Sequence, residues 1–204
     1  MNKIIDLSVL INEQTPVFPG DPKATVTSGS ILEKNGYQDH NISISTHVGT
    51  HIDAPAHMVT GGKNLDEFPI DKLLGKGVCI KVNDKFDIEV IRKVDIEEGD
   101  IVLFHTGMNN KYFETEYFEK YPAMTEDLAN YLVSKGVKLV GFDSCSPDHD
   151  PFPIHKILLG NDILIIENLT NLDQLAGKRF KIYALPLKLE VDGAPARVVA
   201  ELSQ

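Results

Sequence analysis

Three histidines and one aspartate lie within eleven residues of each other: His47, His51, Asp53 and His57. Neutral imidazole and carboxylate are the ligands that Zn²⁺ and similar divalent ions prefer. No lysine, arginine or glutamate falls between residues 45 and 57 to compete for these groups. The composition of this segment therefore predicts a metal-binding turn.

The residues between the histidines indicate how the turn is built. His47 and His51 are four apart, as on one face of a helix. Gly49, its β-branched neighbours and Pro55 disfavour a helix, however. We predict a strand that bends at Gly49 and resumes, so that His51 and Asp53 share a face. The alternatives are histidines that are hydrogen-bonded separately, and a structural metal without catalysis; structural zinc sites usually close with four ligands, often cysteines, and none is nearby.

A second metal would need ligands from elsewhere in the chain. Glu167 ends an apolar strand, where a charge is costly unless it is paired or metal-bound. A strand-end carboxylate turned to solvent is the alternative for this residue. His155 is the favoured imidazole partner, and His149, in an acidic loop, is its competitor. We expect His40 and His105 to be structural.

A proline-rich loop carries one further candidate. Residues 15–22 hold three prolines and one glycine around Phe18. Because prolines restrict φ, they fix where the ring of Phe18 points. Loops held in this way often carry binding residues. We predict that Phe18 forms a wall for a ring-containing substrate, with a rigid surface turn as the alternative.

Composition and charge exclude several classes of function. Thirty acidic against twenty basic residues give a formal net charge of −10. An evenly acidic surface repels phosphate backbones and anionic membranes, so we expect neither nucleic-acid nor membrane partners. The chain shows no signal-peptide core and no apolar run of membrane-spanning length. Cys79 and Cys145 form no CxxC pair. We predict a cytoplasmic protein with reduced thiols and a single domain over residues 1–204.

The distribution of predicted elements favours an α+β fold. Strands are predicted at residues 4–9, 24–28, 37–45, 77–82, 101–107, 137–142, 162–168, 180–186 and 196–202. The clearest helix covers residues 124–136, with Thr125 as its N-cap, and shorter helical turns are predicted at 65–74, 155–159 and 171–175. Strands and helices do not alternate strictly. A mixed α+β architecture therefore fits better than a doubly wound sheet.

These residues also carry a resemblance to a known family. The pattern H-x-G-T-H-x-D-x-P-x-H at residues 47–57 resembles the signature of the metal-dependent cyclase-like hydrolases, which include bacterial kynurenine formamidase. Shorter matches to the family lie at residues 18–21, 143–146, 167–172 and 185–188, so that nearly the whole chain is covered. The resemblance implies the family's swivelling β/β/α fold, with a barrel-like mixed sheet and a few flanking helices. It also implies a homodimer or a larger homo-oligomer.

The resemblance further implies a set of roles at the site. Two groups of metal ligands would share one aspartate: His47, His51 and Asp53 for a first metal, and Asp53, His155 and Glu167 for a second. His57 would remain unliganded as the acid/base. The cofactor would be a divalent metal, two Zn²⁺ in the favoured form, with Mn²⁺ or Fe²⁺ also suited to such ligands.

The implied reaction is hydrolysis of a small-molecule amide by metal-activated water, with N-formylkynurenine cleaved to kynurenine and formate. His57 suits proton relay to the departing amine because the pKa of imidazole lies near the working pH. The chain departs from the family at Phe18, where formamidases usually carry tryptophan. This departure favours a cyclic amide or lactone as the alternative substrate. A metal-binding module without catalysis is a third interpretation, against which His57 argues as a histidine beyond the ligand set.

Overall fold

A closed β-barrel is the main feature of the computed structural model, which describes residues 2–82 and 86–203. The strands are β1 (Lys3–Asp6), β2 (Thr25–Ser30), β3 (Asp39–Ser43), β4 (His51–Asp53), β5 (Leu74–Lys81), β6 (Ile101–His105), β7 (Leu139–Phe142), β8 (Leu164–Glu167), β9 (Arg179–Pro186) and β10 (Gly193–Leu202). The helices are α1 (Leu32–Asn35), α2 (Glu116–Glu119), α3 (Glu126–Ser134) and α4 (Pro153–Leu159). The predicted α+β fold with a barrel-like core is confirmed.

Seven strands form the barrel in the order β10-β4-β8-β7-β6-β5-β9, and β9 closes it by pairing with β10. Strands β5 to β8 are parallel, and the remaining pairs are antiparallel. The carboxyl ends of β5 to β8 therefore meet at one rim. Because β4 runs antiparallel to β8, the first residue of β4 lies at that same rim, where His51 is paired with Glu167.

Apolar residues on both faces of the strands hold the barrel together. In β6, Ile101 and Leu103 belong to one buried cluster, whereas Val102 and Phe104 belong to a second. The second cluster includes residues of α3 and α4, which cover that face of the sheet. Strands covered on both faces carry near-continuous apolar runs, as parallel strands of α/β proteins do. This explains why several predicted strands lack a polar alternation.

Helix α3 shows how local signals set the limits of an element. It begins after Thr125, whose backbone is extended at φ −80° and ψ 152°, although the Thr125 side chain makes no capping hydrogen bond. It ends before Gly136, which adopts φ +65°. Leu128 and Leu132 are fully buried against the barrel. The predicted helix is confirmed, two residues shorter at each end than residues 124–136.

Several predicted boundaries are wrong, and long-range pairing explains the differences. The helical turn predicted at 65–74 is two 3₁₀ turns, Leu65–Glu67 and Ile70–Leu73, and Leu74 already begins β5 because it pairs with β9. The strands predicted at 24–28 and 37–45 form a separate two-stranded hairpin, β2–β3. Both cysteines are buried and unpaired. Among residues 2–82 and 86–203, no helix is long and apolar enough to cross a bilayer.

Close packing around Gly141 of β7 gives a test of the barrel. A Cβ atom there would lie 2.6 Å from Leu103 Cδ2 and 2.8 Å from Leu169 Cδ1, both in the core. We expect Gly141→Ala to lower the free energy of unfolding by about 1–3 kcal/mol, as overpacking does. Gly75→Ala in β5 meets nothing nearer than 3.7 Å and serves as the matched control. Equal urea midpoints for the two variants would contradict the packing.

Candidate metal centre

Strand register brings the first site residues together at the barrel rim. His51 begins β4 opposite Glu167, the last residue of β8, and Asp53 follows two residues later. The predicted bend at Gly49 is present, with φ +62°. A Cβ atom at Gly49 would lie 2.8 Å from Ile11 Cγ1, so space as well as conformation requires glycine. The ring of His51 donates from Nδ1 to the Gly49 carbonyl at 2.8 Å, which directs Nε2 toward the carboxylates.

Asp53 is fully buried and lies between two imidazoles of the same segment. Its Oδ1 is 2.7 Å from His47 Nδ1 and 3.2 Å from His51 Nε2. The rings of His47 and His51 meet edge to face with centroids 5.0 Å apart. One ligand atom from each of these three residues falls within a 4.8 Å cluster. The structure thus brings the first predicted ligand group together.

Helix α4 supplies the imidazole of a second group. His155 Nε2 lies 3.3 Å from Glu167 Oε1 and 3.9 Å from Asp53 Oδ2. The other ring nitrogen, Nδ1, donates to Asp148 Oδ1 at 2.6 Å. His149, the competing candidate, is exposed, and its ring packs on Tyr121 at a centroid distance of 4.2 Å. The structure therefore places His155, and not His149, beside Glu167.

The buried polar atoms at this rim fit a divalent cation. His51 Nε2, Asp53 Oδ2 and Glu167 Oε1 are all buried without a hydrogen-bond partner among the described residues. Leaving such an atom unpaired costs about 1–3 kcal/mol, and more when the group is charged. The two ligand groups, His47/His51/Asp53 and Asp53/His155/Glu167, share Asp53. Their nitrogen and oxygen donors suit Zn²⁺, Mn²⁺ or Fe²⁺, so the residues present can hold one such ion or two.

Burial and neighbouring charges shift the pKa values at the site in opposite directions. Burial raises the pKa of Glu167, and the Asp53 carboxylate beside it adds to the effect. Burial lowers the pKa of His155, but the Asp148 and Glu167 carboxylates outweigh burial and raise this pKa to about 10. Burial also lowers the pKa of His47, but the Asp53 and Asp192 carboxylates outweigh burial and raise this pKa to about 9. Without a metal, protons on these imidazoles compensate the carboxylates, and metal binding releases such protons.

His57 lies beside the two ligand groups and is less buried than they are. It ends the 3₁₀ turn Pro55–His57, and its ring stacks on that of His47 with centroids 4.0 Å apart. Burial lowers the pKa of His57 below its ordinary value, which keeps the ring neutral near pH 7. A neutral imidazole next to a metal group can accept and return a proton.

Aromatic side chains wall the cavity above these groups. The cavity has a volume of about 220 Å³, and Phe18, Phe118 and Phe152 line it together with the histidines. Phe18 is 38% exposed and meets Phe118 edge to face at a centroid distance of 6.2 Å. Phe152 adopts φ +58°, an outlier for a bulky residue, and its ring lies 5.8 Å from that of His155. The predicted position of Phe18, on a wall of the site, agrees with this placement.

Three polar residues at the site were not predicted from the sequence. Asp148 fixes the His155 ring and also accepts from the Ile154 amide at 2.6 Å. Asn168 donates to the Gly49 carbonyl and accepts from the Tyr117 hydroxyl. Asp192 contacts both His47 and His57. Asn168 could have been found from its position directly after an apolar strand. Asp192 could not, because an aspartate followed by a glycine is the pattern of an ordinary turn.

The remaining predicted candidates lie away from the metal centre. His40 is exposed on β3, and His105 ends β6 with Nε2 3.9 Å from Asp143 Oδ2. The carboxylate of Asp143 accepts from the Thr106 amide and hydroxyl and from the Gly107 amide. Within the acidic loop at residues 143–146, Asp143 therefore has a structural role, whereas Ser146 lines the cavity.

The sequence of this chain matches a known protein family and is similar to known proteins over nearly its whole length. Residues 5–149 match the model of a family described as putative cyclases. The chain is 34% identical to kynurenine formamidase of Geobacillus thermodenitrificans, with 97% of this chain and 96% of that protein covered, and 33% identical to kynurenine formamidase of Bacillus cereus, with 96% and 95% covered.

Solved structures extend the comparison to the whole fold. A potential metal-dependent hydrolase with cyclase activity superimposes with a TM-score of 0.84 at 33% identity, with all of both chains covered. Isatin hydrolase A from Labrenzia aggregata superimposes with a TM-score of 0.89 at 27% identity, covering 100% of this chain and 94% of that one. Both likenesses include the rim on which the histidines and carboxylates lie.

We expect the purified protein to carry a divalent metal that depends on the shared aspartate. Asp53→Asn removes a charge from both ligand groups and should strip most of the metal, measured by elemental analysis after dialysis against a weak chelator. His57→Ala, outside both groups, is the matched control and should retain its metal. Full metal content in Asp53→Asn, or equal loss in His57→Ala, would contradict this arrangement.

Proposed function

The chain belongs to the putative cyclase family and is a hydrolase, and from that premise we propose that it cleaves the amide bond of a small aryl formamide. N-formylkynurenine, giving kynurenine and formate, is the candidate substrate. One observation carries the proposal: two groups of potential metal ligands share a buried aspartate beside an aromatic-walled cavity and a further histidine, His57. The kynurenine formamidases that match nearly the whole chain support it.

We assign the metal ligands as two groups sharing one residue: His47, His51 and Asp53, and Asp53, His155 and Glu167. Zn²⁺ is the favoured ion, with Mn²⁺ or Fe²⁺ as alternatives. When bound, such an ion polarises a carbonyl oxygen and lowers the pKa of water toward neutrality. The three unpaired buried atoms at the rim support this assignment, because each belongs to a residue of one or both groups and would gain a cation as its partner.

The other residues hold the substrate and move a proton. The rings of Phe18, Phe118 and Phe152, which line the cavity, take the aryl group. Hydrolysis adds a hydroxyl group to the formyl carbon as the C–N bond breaks. His57 takes the proton of the attacking water and delivers it to the amine nitrogen that departs. A neutral ring can accept the proton of water, and a lowered pKa favours its delivery to the amine.

A cyclic amide or lactone is the second candidate substrate. The resemblance implies that Phe18 stands where formamidases of the family usually carry tryptophan, and the ring of phenylalanine is smaller than an indole. The structural similarity to isatin hydrolase, an enzyme named for a cyclic amide substrate, favours the same alternative. In an aryl formamide and in isatin the bond that breaks joins a carbonyl carbon to an aryl nitrogen, and in a lactone it joins a carbonyl carbon to oxygen, so the same ligands and His57 can serve each substrate.

A substrate panel separates these candidates. We expect the zinc-loaded protein to hydrolyse N-formylkynurenine and formanilide, followed by absorbance of the released amine, and His57→Ala to lose about 10²–10⁴-fold in kcat while keeping its metal. Preference for isatin over both formamides would assign the cyclic substrate instead. If a panel of amides, lactones and esters gave no metal-dependent turnover, the proposed metal-dependent cleavage of an amide would be wrong.

We also propose that the protein is a cytoplasmic homodimer in which the hairpin β2–β3 contacts the partner subunit. An isolated two-stranded hairpin is at best marginally stable in water. In the described chain, no residue of β2 or β3 is buried. Four large apolar residues on and between these strands are 44–62% exposed: Ile31, Leu32, Tyr37 and Ile42. A second copy of the same surface would cover these side chains. The unpaired, buried cysteines fit a reducing compartment.

The oligomer can be tested with one pair of matched substitutions. Ile42→Lys places a charge on the hairpin. Ile70→Lys places a charge outside the hairpin, on an isoleucine that is equally exposed, 63% against 62% for Ile42. Light scattering should give twice the 22.6 kDa chain mass for wild type and Ile70→Lys. Ile42→Lys should shift toward the monomer mass. A wild-type monomer, or an Ile42→Lys dimer of undiminished affinity, would rule out this interface.

A further inference from the structure

We propose that Asp192 is a positioning residue for His57: its carboxylate holds the imidazole ring and fixes which ring nitrogen faces the substrate. The inference rests on the proposed amide hydrolysis. Asp192 Oδ2 lies 3.3 Å from His57 Nδ1. Among the described residues, this carboxylate is the one hydrogen-bond partner of the His57 ring. A ring held at Nδ1 presents Nε2 for proton transfer.

The backbone around Asp192 is held firmly although the residue lies in a connection between strands. The carbonyl of Asp192 accepts from the Ala54 amide at 2.8 Å, next to the end of β4. The carbonyl of Val191 accepts from the Leu65 amide at the same distance. Gly193 then begins β10 in register with Asp53. These contacts fix the carboxylate relative to the metal-ligand strand, as a positioning residue requires.

Glycine after Asp192 allows the close approach to the histidines. A Cβ atom at Gly193 would lie 2.8 Å from the Ile52 carbonyl oxygen and 2.9 Å from His47 Cε1. A larger residue there would push the end of β10 away from His47, and Asp192 would move with it. The Asp-Gly pair therefore serves a purpose beyond the turn that its sequence indicates.

The chemical consequence concerns the tautomer of His57. A carboxylate has only acceptor atoms, so it holds the proton on Nδ1 and leaves the lone pair on Nε2. When His57 takes a proton at Nε2, the same carboxylate stabilises the imidazolium, and the proton then passes to the departing amine. This is the role that the aspartate of a Ser-His-Asp triad performs for its histidine. Asp192 itself neither gains nor loses a proton in this sequence.

Asp192 has a second contact that the test must separate from the first. Its Oδ2 lies 2.9 Å from His47 Nε2, so the carboxylate also supports a proposed metal ligand. Residues in that position usually change metal affinity about 10–100-fold when removed. One ligand atom each from His47, His57 and Asp192 also falls within 4.8 Å, so a cation could bind there directly. Metal content must therefore be measured beside activity.

The test compares two substrates that differ in leaving group. Formanilide releases an amine that must be protonated, whereas 4-nitrophenyl formate releases a stable phenolate that need not be. At saturating Zn²⁺, we expect Asp192→Asn to lower kcat for formanilide by about 10²–10⁴-fold, with KM near the wild-type value. The loss for 4-nitrophenyl formate should be smaller than for formanilide, because the ester needs His57 to take the proton of water but not to deliver one to its leaving group. Glu190→Gln, the same change at an exposed carboxylate two residues earlier, is the control and should match wild type.

A spectroscopic measurement tests the tautomer without relying on activity. Ring ¹⁵N shifts of the zinc-loaded protein, with the His57 signals assigned by their loss in His57→Ala, should show the Nδ1–H form in wild type. Asp192→Asn should populate the Nε2–H form, because an amide can donate to Nδ1 where a carboxylate cannot. A histidine that already carries its proton on Nε2 in wild type would overturn the proposal.

The outcomes of the two tests are distinct. Equal kcat losses for the two substrates, accompanied by loss of bound zinc, would make Asp192 a metal ligand and overturn its positioning role. Unchanged kcat for formanilide in Asp192→Asn would overturn it as well. If wild type hydrolysed neither substrate, the proposed function would fail, while the ¹⁵N measurement would still decide whether Asp192 sets the His57 tautomer.

Discussion

A buried pair of carboxylates is the constraint on which the site depends. Asp53, the last residue of β4, and Glu167, the last residue of β8, lie on neighbouring strands, and neither is more than 6% exposed. Two negative charges in such a place repel each other and lose their hydration, as the raised pKa of Glu167 reflects. They require positive charge from nearby groups. His47, His51 and His155 surround them for this reason, and a divalent cation meets the same need with fewer protons.

Barrel closure turns this local requirement into a defined geometry. β4 lies between β8 and β10, so its two neighbours fix both of its edges. β8 contributes Glu167, and the start of β10 contributes the Asp192–Gly193 segment. Side chains on paired strands move less than side chains on loops, which suits a constellation that must be held to fractions of an ångström. The aromatic residues that line the cavity lie instead on loops and short helices, where sequences vary with less cost to the fold.

The sequence predicts the parts of this site whose spacing is local. His47, His51, Asp53 and His57 belong to one short segment, and a charge ending an apolar strand identified Glu167. The choice between His155 and His149 could not be made from spacing, because it depends on Asp148 holding the ring of His155. Asp192 could not be predicted at all, since its role arises from a pairing between β4 and β10 across about two-thirds of the chain. The same holds for the fold: the apolar strands are predicted from composition, whereas the closure of β9 on β10 and the early start of β5 follow from long-range register.

A site of this kind places a demand on the stability of the whole domain. Each buried polar atom without a partner costs about 1–3 kcal/mol, and three lie at the rim when no metal is bound. Their sum is comparable with the entire stability of an ordinary domain, about 5–15 kcal/mol. Protons on His47 and His155 reduce this cost, but they also occupy nitrogens that would bind a metal. The metal-free fold therefore depends on the two apolar clusters on either side of the strands, and metal binding and folding stability are linked through the same few atoms.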